Sequence, residues 1–190
     1  MTANEMFRAE AYTNVGNLPI DLQSSSFLQN FLGLVAETLE DIVGLDDASG
    51  FIALVGQQMG NHINKLYTQA LGDRPLDAKT VAQILVDLKN RIEGGFFLIE
   101  QDEERIILGN QRCPLGSGVI GHPSLCMMTS SVFGVIVAHH LGYAKVCIEA
   151  AIANGDQGCR VVIYTQPTAA AAAAKGREYY PVESHEAGLS

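Results

Sequence analysis

The chain is 190 residues long, 47% apolar and only 17% charged, with a formal net charge of −9. That length suits one domain with tails, and the composition is too hydrophobic for a disordered chain. The charge repels phosphate backbones and the twelve Lys and Arg form no basic run, which argues against direct nucleic-acid binding.

The N-terminus, MTANEMFRAEAYTN, has no apolar core of the kind a secretory signal carries. Residues 125–142 are apolar but broken by Thr129, Ser130, Ser131, Gly134, His139 and His140, which reads as a core helix and not as a membrane span. The expectation is a cytoplasmic protein, in which Cys113, Cys126, Cys147 and Cys159 serve as thiols, metal ligands or redox sensors and not as structural disulfides.

Residues 1–26 read as a polar N-terminal segment ending in Ser24-Ser25-Ser26, which can cap the helix that follows. From Phe27 to Val43 apolar residues recur at helical spacing, with Glu37, Glu40 and Asp41 on the outside. Gly44 ends this helix, residues 46–50 form a loop, and a second helix spans about 51–71. Gly56 and Gly60 lie four apart on one of its faces; each costs a helix roughly 1 kcal/mol against Ala, so a neighbour must approach closely. Packing of another helix is the plainer explanation and room for a ligand the sharper one.

Asp77 caps a third helix over about 78–92, which Gly94-Gly95 stops. Residues 96–100 and 105–109 are β-prone runs around an acidic turn and predict a hairpin. A Gly-rich loop over 110–121 leads to Pro123, at the favoured first position of a fourth helix that Gly142 ends. Residues 144–149 and 159–165, joined by Asn154-Gly155-Asp156-Gln157-Gly158, predict a second hairpin. Hairpins imply antiparallel pairing. The expected fold is therefore α+β: N-terminal helices packed with a small antiparallel sheet of two hairpins flanking a central helix. Residues 27–166 form its single domain, and the Ala-rich stretch 167–190 is expected to be a flexible tail.

Three features carry candidate chemistry. Gly116-Ser117-Gly118-Val119-Ile120-Gly121 fits a dinucleotide fingerprint, but Cys113-Pro114 interrupts the strand that should precede it, and too few residues follow for the fold. A tight turn is the better reading. The cysteines contain no C-x-x-C, so placement says more than spacing. Cys126 falls in the first turn of a helix, where the dipole favours thiolate, and His122 lies one turn before it. Cys147 and Glu149 share one strand face, and Cys159 opens the partner strand. Each is also, more simply, a small core residue. Finally, Cys126, Ser130, Gly134, Ala138 and Gly142 form a small-residue row on the fourth helix, with Met128 and Phe133 beside it. Such a row permits close packing or leaves a cavity, and Met128, Ser130, Phe133 and Gly134 are its candidate ligand-binding residues.

The series Leu141-Gly142-Tyr143-Ala144-Lys145-Val146, then Glu149, then Asn154-Gly155-Asp156-Gln157-Gly158-Cys159 resembles the end of the 4-vinyl reductase domain family. The string from Cys113-Pro114-Leu115-Gly116 through His122-Pro123-Ser124-Leu125-Cys126-Met127-Met128 is more similar to the related methanogen output domain of signalling proteins. The resemblance covers about residues 27–165 and implies a small-molecule-sensing fold, often dimeric. It implies that Cys126, Glu149 and Cys159 match three zinc ligands of phenol-responsive activators. The fourth ligand position falls near Ala151 or Ile152, which cannot ligate; Cys147 is a substitute, with Cys113 and His122 as further candidates. Zinc, an iron–sulfur cluster or a thiol switch would each use such a set. The expected function is thus a non-enzymatic sensory or regulatory domain that binds a small apolar ligand or a Cys-ligated metal centre. It would act as a homodimer, signal to a protein partner and contact no membrane. The alternatives are a reductase-type enzyme of tetrapyrrole metabolism and a structural or assembly protein.

Overall fold

The computed structural model describes residues 15–181 apart from Asp21 and Asp73; most of the segment expected to be polar, and the last nine residues, lie outside it. Helix α1 spans Ser24–Val43 and α2 spans Leu45–Leu71. The residues expected to form a loop between them belong to the first turns of α2, where Asp46 and Asp47 suit the positive end of the helix dipole. The chain turns instead at Gly44 alone, at φ 81°. Helix α3, Ala78–Arg91, begins as expected on Asp77, whose carboxylate accepts from the Thr80 amide at 2.8 Å.

Strands β1 (Phe97–Gln101) and β2 (Arg105–Asn110) form the first hairpin. A 3₁₀ turn at Pro123–Leu125 leads into α4, Cys126–Leu141, which Gly142 ends in the left-handed conformation. Strands β3 (Ala144–Ala150) and β4 (Cys159–Tyr164) form the second hairpin. The fold is α+β, as expected, and the two hairpins join through the pairing of β2 with β4 into one antiparallel sheet.

In its described part, residues 167–181, the Ala-rich stretch carries regular structure. Thr168 caps a one-turn helix, α5, at Ala169–Ala173, and Arg177–Tyr179 adds a strand, β5, to the edge at β3. The sheet order is β1-β2-β4-β3-β5. An isolated alanine run this short would be marginal; here the cap and the strand beyond it tie it down.

Because side chains alternate along a strand, the sheet has two different faces. Ile106, Leu108, Val146, Val161 and Ile163 face inward and meet Val81, Leu85 and Leu88 of α3 and Phe133, Ile136 and Val137 of α4. Ile107, Cys147 and Val162 form a small separate cluster on the opposite face, beside Ala174. Helix α4 is packed between α2 and the sheet. The close approach that Gly56 and Gly60 suggested is this crossing: a Cβ at Gly56 would stand 2.8 Å from the Ser131 Cβ, and one at Gly60 would stand 3.0 Å from that of Val135. The helix over Pro123–Leu141 is long and apolar enough to cross a membrane by length and composition, but 56% of its apolar window is buried in this core.

Candidate functional site

One end of the domain carries a partly open cavity of about 80 Å³ between α3, the start of α4 and the inner face of the sheet. Most of its wall is apolar, from Phe96, Leu115, Val119, Leu125, Met128, Ile148 and Val161. Into this wall project three thiols, Cys113, Cys126 and Cys159, and one cation, Lys89.

The turn before β4 shows how local sequence positions a thiol. Gly155 takes φ 90°, and Asp156 accepts from the Ala151 amide at 2.8 Å, so the chain reverses tightly. Gly158 lies where any Cβ would come 2.4 Å from the Asn110 carbonyl oxygen. Asn110 then accepts from the Cys159 amide at 3.0 Å and donates to the Arg112 carbonyl at 2.9 Å. These contacts fix Cys159 and the Cys113 loop against each other, with the Ile152 amide 3.5 Å from the Cys159 sulfur.

All four cysteines are unpaired thiols. Burial pushes the Cys126 thiol up to about 12, with Cys159 and Cys113 adding to the effect. Burial likewise raises Cys113 and Cys159. The thiolate expected at the start of a helix therefore does not form: the cost of charging sulfur in an apolar cavity exceeds what the helix dipole returns.

Lys89 is 4% exposed. Its Nζ donates to Thr129 Oγ1 at 2.7 Å and lies 5.4 Å and 5.2 Å from the ring centres of Phe96 and Phe133. Desolvation pushes its pKa down to about 8. No reading of the sequence singled it out, although Val81, Leu85 and Lys89 stand four apart along the buried face of α3. A lysine in that row is the signal that was available.

The proposed metal ligands fall into two groups. Cys113, Cys126 and Cys159 share the cavity. Cys147 and Glu149 point to the other side of the sheet, where Glu149 pairs with Arg160 at 2.8 Å and Cys147 packs with Ile107 and Val162. They do share a strand face, as the period of two required, but it is the face away from Cys126 and Cys159. His122 is engaged elsewhere: its Nδ1 lies 2.9 Å from Glu40 Oε2. Glu40, expected on the outside of its helix, also accepts from the Ser124 amide at 3.3 Å. Burial opposes its charge, but Ser124 and His122 together outweigh that and hold its pKa below the usual value. Among the described residues no three His, Cys, Asp or Glu side chains converge to hold a metal ion. The four-ligand zinc set implied by the resemblance does not assemble.

Of the candidate ligand-binding residues, only Met128 lines the cavity. Phe133 is fully buried core, edge-on to Phe96. Ser130 bonds the Tyr179 hydroxyl at 2.9 Å. Gly134 lies under the Tyr179 ring. The Gly-rich loop holds no nucleotide fold; Gly116 and Gly118 pack against Gln29, and Gly118 against Gly33, on α1.

The domain is thus α+β, with a partly open, mainly apolar cavity at one end of its sheet. The chain matches the family methanogen output domain 1 over residues 31–164 and belongs to it. No curated protein matches the chain significantly. Membership fits a sensory or regulatory role in general terms.

Proposed function

We propose that this domain binds a small, largely apolar molecule in the cavity between α3, α4 and the sheet, and that occupancy changes its contacts with a protein partner. The observation that supports this reading is a mainly apolar pocket with few convergent polar groups, in a family of output domains. Binding without turnover is the role assigned here. A reducing compartment such as the cytoplasm suits its four unpaired thiols.

A homodimer is part of the proposal. On α1 the buried stripe consists of small residues, Gly33 and Ala36, while Phe27, Leu34 and Ile42 are 58%, 61% and 74% exposed. Phe51, Leu54 and Val55 of α2 are also exposed. Exposed apolar surface of this extent is a feature of interfaces. Sedimentation of the full chain is expected to show a dimer, and Leu34→Glu with Leu54→Glu a monomer.

A second reading is favoured by the three thiols on one cavity. Oxidation there would change its volume and polarity, a thiol switch that acts slowly because burial raises all three thiols. Thermal-shift screening of small apolar compounds, before and after mild peroxide treatment, tests both. Stabilisation that peroxide leaves intact supports the ligand sensor alone, and stabilisation that peroxide removes couples the two. No stabilisation from any compound contradicts the ligand reading.

A further inference from the structure

Lys89 is a buried ammonium without a counter-ion. Among the described residues its one hydrogen bond is to a neutral hydroxyl, Thr129, and two ring faces lie 5.4 Å and 5.2 Å from its Nζ. It takes part in none of the ion pairs there. An ammonium has three protons to donate, and burying it unpaired costs several kcal/mol. Among the described residues none of the three cavity cysteines is hydrogen-bonded to it, and no carboxylate pairs with it. Asn110, the other polar side chain on the wall, spends its amide on the Gly94 and Arg112 carbonyls and its oxygen on the Cys159 amide. The cavity therefore carries one uncompensated positive charge in an apolar surround.

We propose that the ligand is a small monoanionic carboxylate with an apolar body, its carboxylate paired with Lys89 and its body against the walls around Met128, Val119 and Val161. This rests on the reading of the cavity as a binding site. A carboxylate fits the donors present: one oxygen takes an Nζ proton, and the other takes the Thr129 hydroxyl proton, which remains available after that oxygen accepts from Lys89. A phosphate dianion would need more donors than one ammonium and one hydroxyl. A neutral apolar molecule would fill the space but leave the ammonium unpaired.

The test is calorimetric titration of the full chain at pH 7 with benzoate and hexanoate, each beside its amide, benzamide and hexanamide. The acids are expected to bind roughly tenfold or more tightly than the amides, and Lys89→Met to abolish or reverse that preference. The acid–amide comparison on the unaltered protein stands even if the variant fails to fold. Equal binding of acids and amides overturns the counter-ion role while the binding cavity stands. Binding of none of the four overturns both.

Discussion

The ring of Tyr179 lies directly over Gly134, so that a Cβ on that glycine would fall 2.1 Å from a ring carbon. The Tyr179 hydroxyl reaches Ser130 at 2.9 Å and Ser131 at 3.2 Å. A residue in the tail thus fills the small-residue groove of the central helix, a turn or two from the cavity. Gly134→Ala must expel the ring, and with it β5. The expected cost is about 1–3 kcal/mol in chemical denaturation, with loss of amide-exchange protection confined to residues 177–179. Tyr179→Phe keeps the ring and should cost about 1 kcal/mol with β5 still protected. If Gly134→Ala leaves β5 protected, the tail is not held by this contact.

Glu40 gives the domain an acid-sensitive clasp between α1 and the turn before α4. Its folded pKa lies below its unfolded value, so it contributes stability above the usual carboxylate range and loses that contribution as pH falls through the lowered folded pKa. Glu40→Gln should cost about 1–2 kcal/mol at pH 7, with the difference from the unaltered protein vanishing once the pH falls below the lowered folded pKa. Urea melts at several pH values measure this; a constant difference would remove Glu40 from the account.

Lys89 has the opposite sense. Its folded pKa of about 8 lies below the ordinary lysine value of 10.5. Below pH 8 both states are charged and the burial cost is present in full; between 8 and 10.5 the folded state sheds the proton first, so this group's contribution to stability rises. Lys89→Met, which removes the buried charge and keeps the chain length, is expected to be neutral or stabilising at pH 7. Its advantage should shrink on the order of 2 kcal/mol by pH 10. An advantage that stays constant with pH would show that Lys89 is not desolvated.

The cavity thiols should be slow nucleophiles. With Cys126 at about 12, its thiolate fraction at pH 8 is roughly a hundredfold or more below that of an ordinary cysteine. Iodoacetamide labelling followed by peptide mass spectrometry should place Cys126 among the last to react, and a cavity ligand should slow Cys113 and Cys159 further. Rapid labelling of Cys126 in the folded protein would contradict its desolvation in the cavity wall.

Much of the fold was legible because short-range rules decide it. Asp77, Gly142 and the hairpin turn at Gly155-Asp156 mark element ends with side chains or φ values that few other residues supply. Two errors share one cause: periodicity shows that a face is apolar, but not what covers it. Phe27 and Leu34 look like core and stand exposed, while Glu40, counted as exterior, is half-buried against His122. The cysteine set went wrong in the same way. Alternation correctly put Cys147 and Glu149 together, but only the pairing of β2 with β4 decides which sheet face meets α4. Lys89 stands in the Val81–Leu85 row on the buried face of α3, and only that position sets it apart from the exposed lysines.

Met128, on the cavity wall, reports directly on whether the cavity takes a ligand. Methyl spectra of methionine-labelled protein, titrated with benzoate and then hexanamide, should move the Met128 resonance and leave exposed Met59 in place. Ala153→Leu, which fills the cavity from the sheet side, should abolish that response. A Met128 resonance that neither compound moves, or a response that survives Ala153→Leu, would contradict the account.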